Sequence, residues 1–207
     1  MDVAWGEGLA VALYKRVGLD PCEPTSPFTI ATKWLGEKAV IRPVTPMTSP
    51  SMTFVLDARR RIAIKKGVAP EYAAFYVGHE LGHILLQEEG YVGEDEEQMA
   101  DLLGAALLAP MPAVRRLIRT FDGNLSEIAD ATHSTETWAA LRVAETLGIT
   151  RAVITPQKLY LRGPEEFVWG PEDSLRHLAR GRSRPGITKS RLRDDPRRIV
   201  IDVEDAA

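Results

Sequence analysis

The chain is poor in the residues that would commit it to several large classes. It has one cysteine, Cys22, in 207 residues, so it can form neither an intrachain disulfide nor a four-cysteine zinc site. That scarcity favours the cell interior, and we expect a cytoplasmic protein. No apolar run is long enough to cross a bilayer. The longest, Leu102 to Val114, is broken by Pro110 and Pro112. The N-terminus lacks a signal pattern: there is no basic residue before Lys15, and the apolar stretch Leu9 to Tyr14 is short. No membrane partner is expected. There is no overall excess of positive charge either. Lys and Arg total 26 against 29 Asp and Glu, a net charge of −3, so no global field draws in nucleic acid. No internal repeat is visible.

What remains is ordinary for a folded domain: 44% hydrophobic and 27% charged residues, at a length that suits one domain with extensions. Early prolines (Pro21, Pro24, Pro27, Pro43, Pro46 and Pro50) break up the first fifty residues, leaving a short helix over Leu9 to Val17. Phe54 to Leu56 and Ile62 to Ile64 read as two short strands. Pro70 can open a helix that runs to about Glu89, where Gly90 stops it. A second helix is predicted over Glu94 to Leu108, ended by Pro110 and Pro112, and a third over Ala113 to Thr120. Leu125 to Leu147 reads as two helices turning near Thr132 to Ser134, with Ser134 capping the second. Three strand-like stretches follow, at Ala152 to Ile154, Lys158 to Leu161 and Phe167 to Trp169. Residues 180–198 carry eight basic residues against two acidic ones. We read 180–207 as a basic, flexible tail. An electrostatic contact of that tail with nucleic acid is the sharper alternative, although no aromatics are interleaved for base stacking.

The chemistry concentrates in His79-Glu80-Leu81-Gly82-His83. In a helix, residues four apart share a face, so both imidazoles can reach one ion, with Glu80 beside it. The surrounding helix is apolar nearly all round: Ala73, Ala74, Val77, Leu81, Ile84 and Leu85 on one side, and Tyr72, Phe75, Tyr76 and Leu86 flanking the histidines. Such a helix is buried. Two histidines and a glutamate in it cost several kcal/mol if unpaired, roughly the desolvation penalty of buried polar groups. One divalent cation with its bound water satisfies all three; two core histidines satisfied by other partners are the plainer alternative.

Zinc needs a third protein ligand. Leu86 and Glu89 stand where a metzincin would have glycine and histidine. Cys22, in Asp20-Pro21-Cys22-Glu23-Pro24, is not in a ligating context. A carboxylate is left. Glu97 and Asp101 are spaced four apart on the next helix. Glu97 can bind the ion while Asp101 accepts the free N–H of a ligating histidine. Glu97 would lie in the first turn and must reach back, so Asp101 as the direct ligand stays open. Glu94, Asp95 and Glu96 are read only as acidic residues favoured at a helix N-terminus.

Together, Val77 to Leu86, Glu97-Gln98-Met99-Ala100-Asp101 and Leu107-Leu108-Ala109-Pro110 resemble the ImmA/IrrE family of zinc metallopeptidases. Phe28-Thr29-Ile30-Ala31 is similar to that family's short helix after a proline. Ile128-Ala129 and Ser134 to Arg142 are similar to its small helical unit. Leu103-Gly104 replaces the family's usual Phe-Ala, and Ala109 a frequent Met, which alters packing and not ligation. The resemblance implies an α+β, gluzincin-like domain with a small antiparallel sheet and a central HExxH helix. It divides the chain into an N-terminal extension (1–24), the peptidase domain (25–148, with the helical unit at 125–147), a strand-containing extension (149–179) and the tail.

The implied activity is zinc-dependent hydrolysis of a protein substrate, a helix-turn-helix repressor of a mobile element or stress response. Zn²⁺ would sit on His79, His83 and Glu97, and Glu80 would serve as general base. An extended substrate is expected to add to the edge of the strand at Ile62 to Ile64. His133 and Tyr91 are the candidates for an oxyanion donor, although a loop residue and a packing residue are the plainer readings of each; His177 reads as surface. The helix pair at 125–147 is a poor match to DNA: Glu136 and Glu145 accompany a lone Arg142, and Trp138 and Leu141 look like core positions. The competing class is a non-catalytic regulator, zinc-stabilised or DNA-binding.

Overall fold

The computed structural model describes residues 3–41, 47–154, 159–162, 187–191 and 199–203. The chain forms two units, residues 1–116 with 132–134, and residues 117–131 with 135–207. The strand expected at Phe167 to Trp169, and His177, lie outside the described residues.

The first unit begins with helices α1 (Val3–Arg16) and α2 (Pro27–Leu35). Pro27 fits the opening turn of α2 because its missing N–H would be unpaired there anyway. Residues 3–16, set apart by sequence as an extension, place Ala10, Leu13 and Tyr14 in the core. The buried Tyr14 hydroxyl donates to the carbonyl of Leu107 at 3.0 Å. Strands β1 (Val40–Ile41), β2 (Ser51–Leu56) and β3 (Arg59–Ile64) form a sheet in the order β1-β3-β2. β2 and β3 are a hairpin closed by the two-residue loop Asp57-Ala58. Both loop residues have positive φ, 51° and 56°, as a type I′ turn demands.

Two expectations fail here. The sheet is mixed and not antiparallel, because β1 runs parallel to β3, pairing Val40 with Ile62 and Ile41 with Ala63. β1 joins the edge of β3 opposite the hairpin, so no tight turn dictates its direction. For the same reason β3 is the middle strand, with β1 covering its other edge at Ile62 and Ala63. Among the described residues the outer strands are β1 and β2, and β2 offers the longer open edge.

Helix α3 (Pro70–Glu88) carries the HExxH motif, and α4 (Glu96–Leu108) packs along it. The pair approaches closely because three glycines line the contact. A Cβ on Gly78 would lie 2.9 Å from the Gly104 carbonyl oxygen, and one on Gly104 2.9 Å from the His79 nitrogen. One on Gly82 would lie 2.8 Å from the Ala100 carbonyl oxygen. The departure from the family pattern at Gly104 therefore falls on a backbone-to-backbone contact. Ile62, Ile64, Leu81, Ile84, Leu86, Leu103 and Leu107 fill the core between these helices and the sheet.

Helix α5 (Met111–Thr120) begins in the first unit and ends in the second. The second unit holds α6 (Leu125–Ala131), α7 (Glu136–Leu147) and strands β4 (Thr150–Ile154), β5 (Leu159–Arg162), β6 (Ile187–Arg191) and β7 (Ile199–Val203). These strands form an antiparallel sheet ordered β5-β4-β7-β6. β6 and β7 fall within the stretch read as a flexible tail. Their β-branched residues (Ile187, Thr188, Ile199, Val200, Ile201, Val203) suit a ladder, and Val200 is buried. The cap of α7 is Thr135 and not Ser134: its side chain accepts from the Trp138 N–H at 3.2 Å. Trp138 and Leu141 are only partly buried, with Leu141 against Ala140 and Val200.

No described helix is long and apolar enough to cross a membrane.

Candidate metal centre

α3 sets His79 and His83 one turn apart on the same face, with the ring centroids 4.7 Å apart. Gly90, at φ 69°, ends that helix and reverses the chain. The reversal is pinned by the Tyr91 hydroxyl, which donates to the Asp95 carboxylate, and by Tyr91 stacked on Trp5 at 5.7 Å between centroids. The Asp95 hydrogen bond, then burial, then the charges of Asp95 and Glu96 raise the Tyr91 pKa above its usual 10. α4 then starts with Glu96 and Glu97 in its first turn, where the helix dipole favours carboxylates.

The outward nitrogens decide the protonation pattern. His79 Nδ1 lies 2.8 Å from Asp101 Oδ1, and His83 Nδ1 lies 2.9 Å from Glu96 Oε1. A carboxylate can only accept, so both Nδ1 atoms carry the proton. In the neutral rings both Nε2 lone pairs are then free, and they converge 3.1 Å apart. The Glu97 carboxylate closes the triangle, its nearest oxygens 3.5 Å from His79 Nε2 and 3.4 Å from His83 Nε2. Three acceptors meeting at one point repel unless a cation lies among them.

The size of the triangle tests what that cation could be. Tetrahedral ligands at about 2.0–2.1 Å from zinc stand about 3.3–3.4 Å from one another. The Nε2–Nε2 distance of 3.1 Å, and the distances of 3.4 and 3.5 Å from the two imidazoles to the two separate oxygens of Glu97, lie near that value. His79, His83 and Glu97 could therefore hold a divalent metal ion, and they form such a group among the described residues. The side chain of Glu97 is 80% exposed, so the site opens to solvent on the α4 side.

Asp101, the alternative direct ligand, sits on the far nitrogen of His79. Glu96, read by sequence as a mere N-terminal acid, does for His83 what Asp101 does for His79. The signal was in its spacing: Glu96 precedes Glu97 in the same first turn and faces the other imidazole. Burial lowers the His79 pKa, but the Asp101 hydrogen bond and the charges of Asp101, Glu80 and Glu97 outweigh it. The net shift is above 6.5.

Glu80, next to His79 in the motif, is buried, 7% exposed. Both of its oxygens accept hydroxyl hydrogen bonds from β2, Oε1 from Ser51 and Oε2 from Thr53, each at 2.7 Å. Neither hydroxyl was legible as a site residue in the sequence. His133 is exposed, at φ 52°, in the turn between α6 and α7. Tyr91 has its hydroxyl on Asp95, and Cys22 is exposed.

The model of the IrrE N-terminal-like domain, a peptidase family, matches residues 33–154. The chain belongs to the ImmA/IrrE peptidase family. The matched span holds all three candidate ligands of this ImmA/IrrE protein, with Glu80, Glu96 and Asp101. No curated protein matches the sequence. Among solved structures, a Mycobacterium tuberculosis transcriptional regulator has a similar fold. It matches with a TM-score of 0.61 at 10% identity, over 95% of this chain and 74% of the regulator.

Proposed function

We propose that this protein is a cytoplasmic zinc metallo-endopeptidase whose substrate is a helix-turn-helix transcriptional repressor. The observation that carries the peptidase reading is the converging triangle of His79, His83 and Glu97, with a buried carboxylate, Glu80, next to it in the motif. Zinc held by that triangle would supply Lewis acidity toward a scissile carbonyl and an attacking water. Glu80 takes the proton of that water and returns it to the leaving amine. Asp101 and Glu96 hold the two imidazoles in the Nδ1–H tautomer, so both Nε2 atoms stay available.

An extended peptide docks on β2. The Lys65 N–H donates to the Pro50 carbonyl at 2.9 Å, and the Ile62 N–H to the Ala39 carbonyl at 2.8 Å, away from β2. With the register of the hairpin, this turns the main-chain groups of Ser51, Thr53 and Val55 toward the open edge. Those groups can pair with a substrate strand. His133 is the candidate oxyanion donor that remains, since the Tyr91 hydroxyl is engaged.

The repressor is supported by family membership and, more loosely, by a structural neighbour described as a transcriptional regulator. That neighbour also favours the competing reading, a regulator in which the metal only supports the fold. DNA binding through α7 has little support, because Arg142 is buried and paired with Glu145 at 2.5 Å. Glu80→Gln separates the two readings. Co-expressed with a helix-turn-helix repressor from its genomic neighbourhood, the wild type should cut it. The variant should stay folded and zinc-loaded and leave it intact. A wild type that leaves the repressor intact, or unchanged biological output with the variant, would favour the regulator.

A further inference from the structure

We infer that Ser51 and Thr53 are positioning residues that set the Glu80 carboxylate for proton transfer. The inference rests on the peptidase reading above. The terminal torsion of a glutamate is soft and broad, so a carboxylate held at one point swings about its own axis. Here two donors on separate oxygens, both at 2.7 Å, fix its plane. They come from alternate positions of one strand face, so the backbone of β2 sets their separation. Each carboxylate oxygen keeps a second lone pair, so the grip leaves a site for an incoming proton. The choice of hydroxyls matters as well. A hydroxyl donates to a carboxylate and accepts from a carboxylic acid, so one pair of side chains serves Glu80 before and after it gains a proton. An ammonium at either place could serve only the charged form.

The same two residues turn their main-chain groups to the open edge of β2. The strand that would receive an extended peptide is thus the strand that sets the base.

A probe that needs no known substrate tests this. A hydroxamic acid binds a metal most tightly after passing its proton to a neighbouring base, so its affinity reports where that base stands. Full-length protein loaded with Co²⁺ is titrated with acetohydroxamic acid and followed by its visible spectrum. Ser51→Ala with Thr53→Val should weaken binding by about tenfold, the worth of about one hydrogen bond. Cobalt content should be unchanged. Thr53→Val alone, which is isosteric, should show part of the loss should the double variant fold poorly, and Thr53→Ser and Ser51→Thr should restore affinity. In a Glu80→Gln background, which itself weakens binding, the hydroxyl changes should cost nothing more. Wild-type affinity in the folded double variant, with Glu80→Gln still weakened, would overturn the inference alone. A cobalt-loaded wild type with no response to the probe would overturn the peptidase reading and this inference with it.

Discussion

Each histidine of the pair is held from behind by a carboxylate: His79 by Asp101 and His83 by Glu96. Such outer partners fix ring orientation and raise ligand basicity. Removing one typically costs about 10–100-fold in metal affinity. Asp101→Asn and Glu96→Gln should each fall in that range by chelator competition, whereas Glu94→Gln should change little. The His79 proton gives the site a defined pH response. Its pKa is raised in the folded, metal-free chain, mainly by Asp101 against the opposing effect of burial. The charged ring therefore adds stability to the metal-free fold that is fully present below about 6.5, the unfolded value, and is lost as pH rises through the folded value. The same proton competes with metal. Affinity should rise with pH and level off above the raised His79 value. In Asp101→Asn the rise should be complete at lower pH. A competition series from about pH 5.5 to about pH 8.5 measures both curves.

At the scale of elements, the close contact of α3 and α4 is what brings the first turn of α4 to the histidines. Gly82→Ala puts a Cβ 2.8 Å from the Ala100 carbonyl oxygen and 3.1 Å from its Cα, both backbone atoms that cannot swing aside. The helices must part. The expected cost is about 1–3 kcal/mol of stability, with weaker metal binding through displaced Glu97. Gly8→Ala in α1 meets nothing within 4 Å and should stabilise by about 0.5–1 kcal/mol. Thermal melts and zinc titrations of the two variants make the comparison. Apolar stretches bounded by Pro70, Gly90, Pro110 and Pro112 made α3, α4 and α5 legible in the sequence to within a few residues. The motif made His79 and His83 legible, and its spacing to the next helix made Glu97 so. Contacts between distant segments were not legible. Ser51 and Thr53 meet Glu80 only because the hairpin folds onto α3. β1 escaped because two residues carry no period. β6 and β7 were hidden by the surrounding arginines, whose charge reads as solvated, while the β-branched residues of Ile187-Thr188 and Ile199 to Val203 suit a ladder.

For the whole molecule, the ligands fall in one unit, on α3 and α4, and the core of that unit draws on α1, α2 and β3 as well. A metal that binds the folded chain and not the unfolded one should stabilise it by mass action, about 2.7 kcal/mol at a free concentration 100 times its dissociation constant. Calorimetry with zinc and with a chelator should show the transition of the unit that holds the ligands move to higher temperature with the metal. The most direct measurement is the zinc content of purified full-length protein, wild type beside His83→Ala, with circular dichroism to establish that both are folded. We expect about one zinc ion per wild-type chain, the stoichiometry of a single tetrahedral site, and close to none in the variant. A well-folded wild-type chain that is free of metal and takes up no added zinc would contradict the metal centre and the peptidase chemistry built on it.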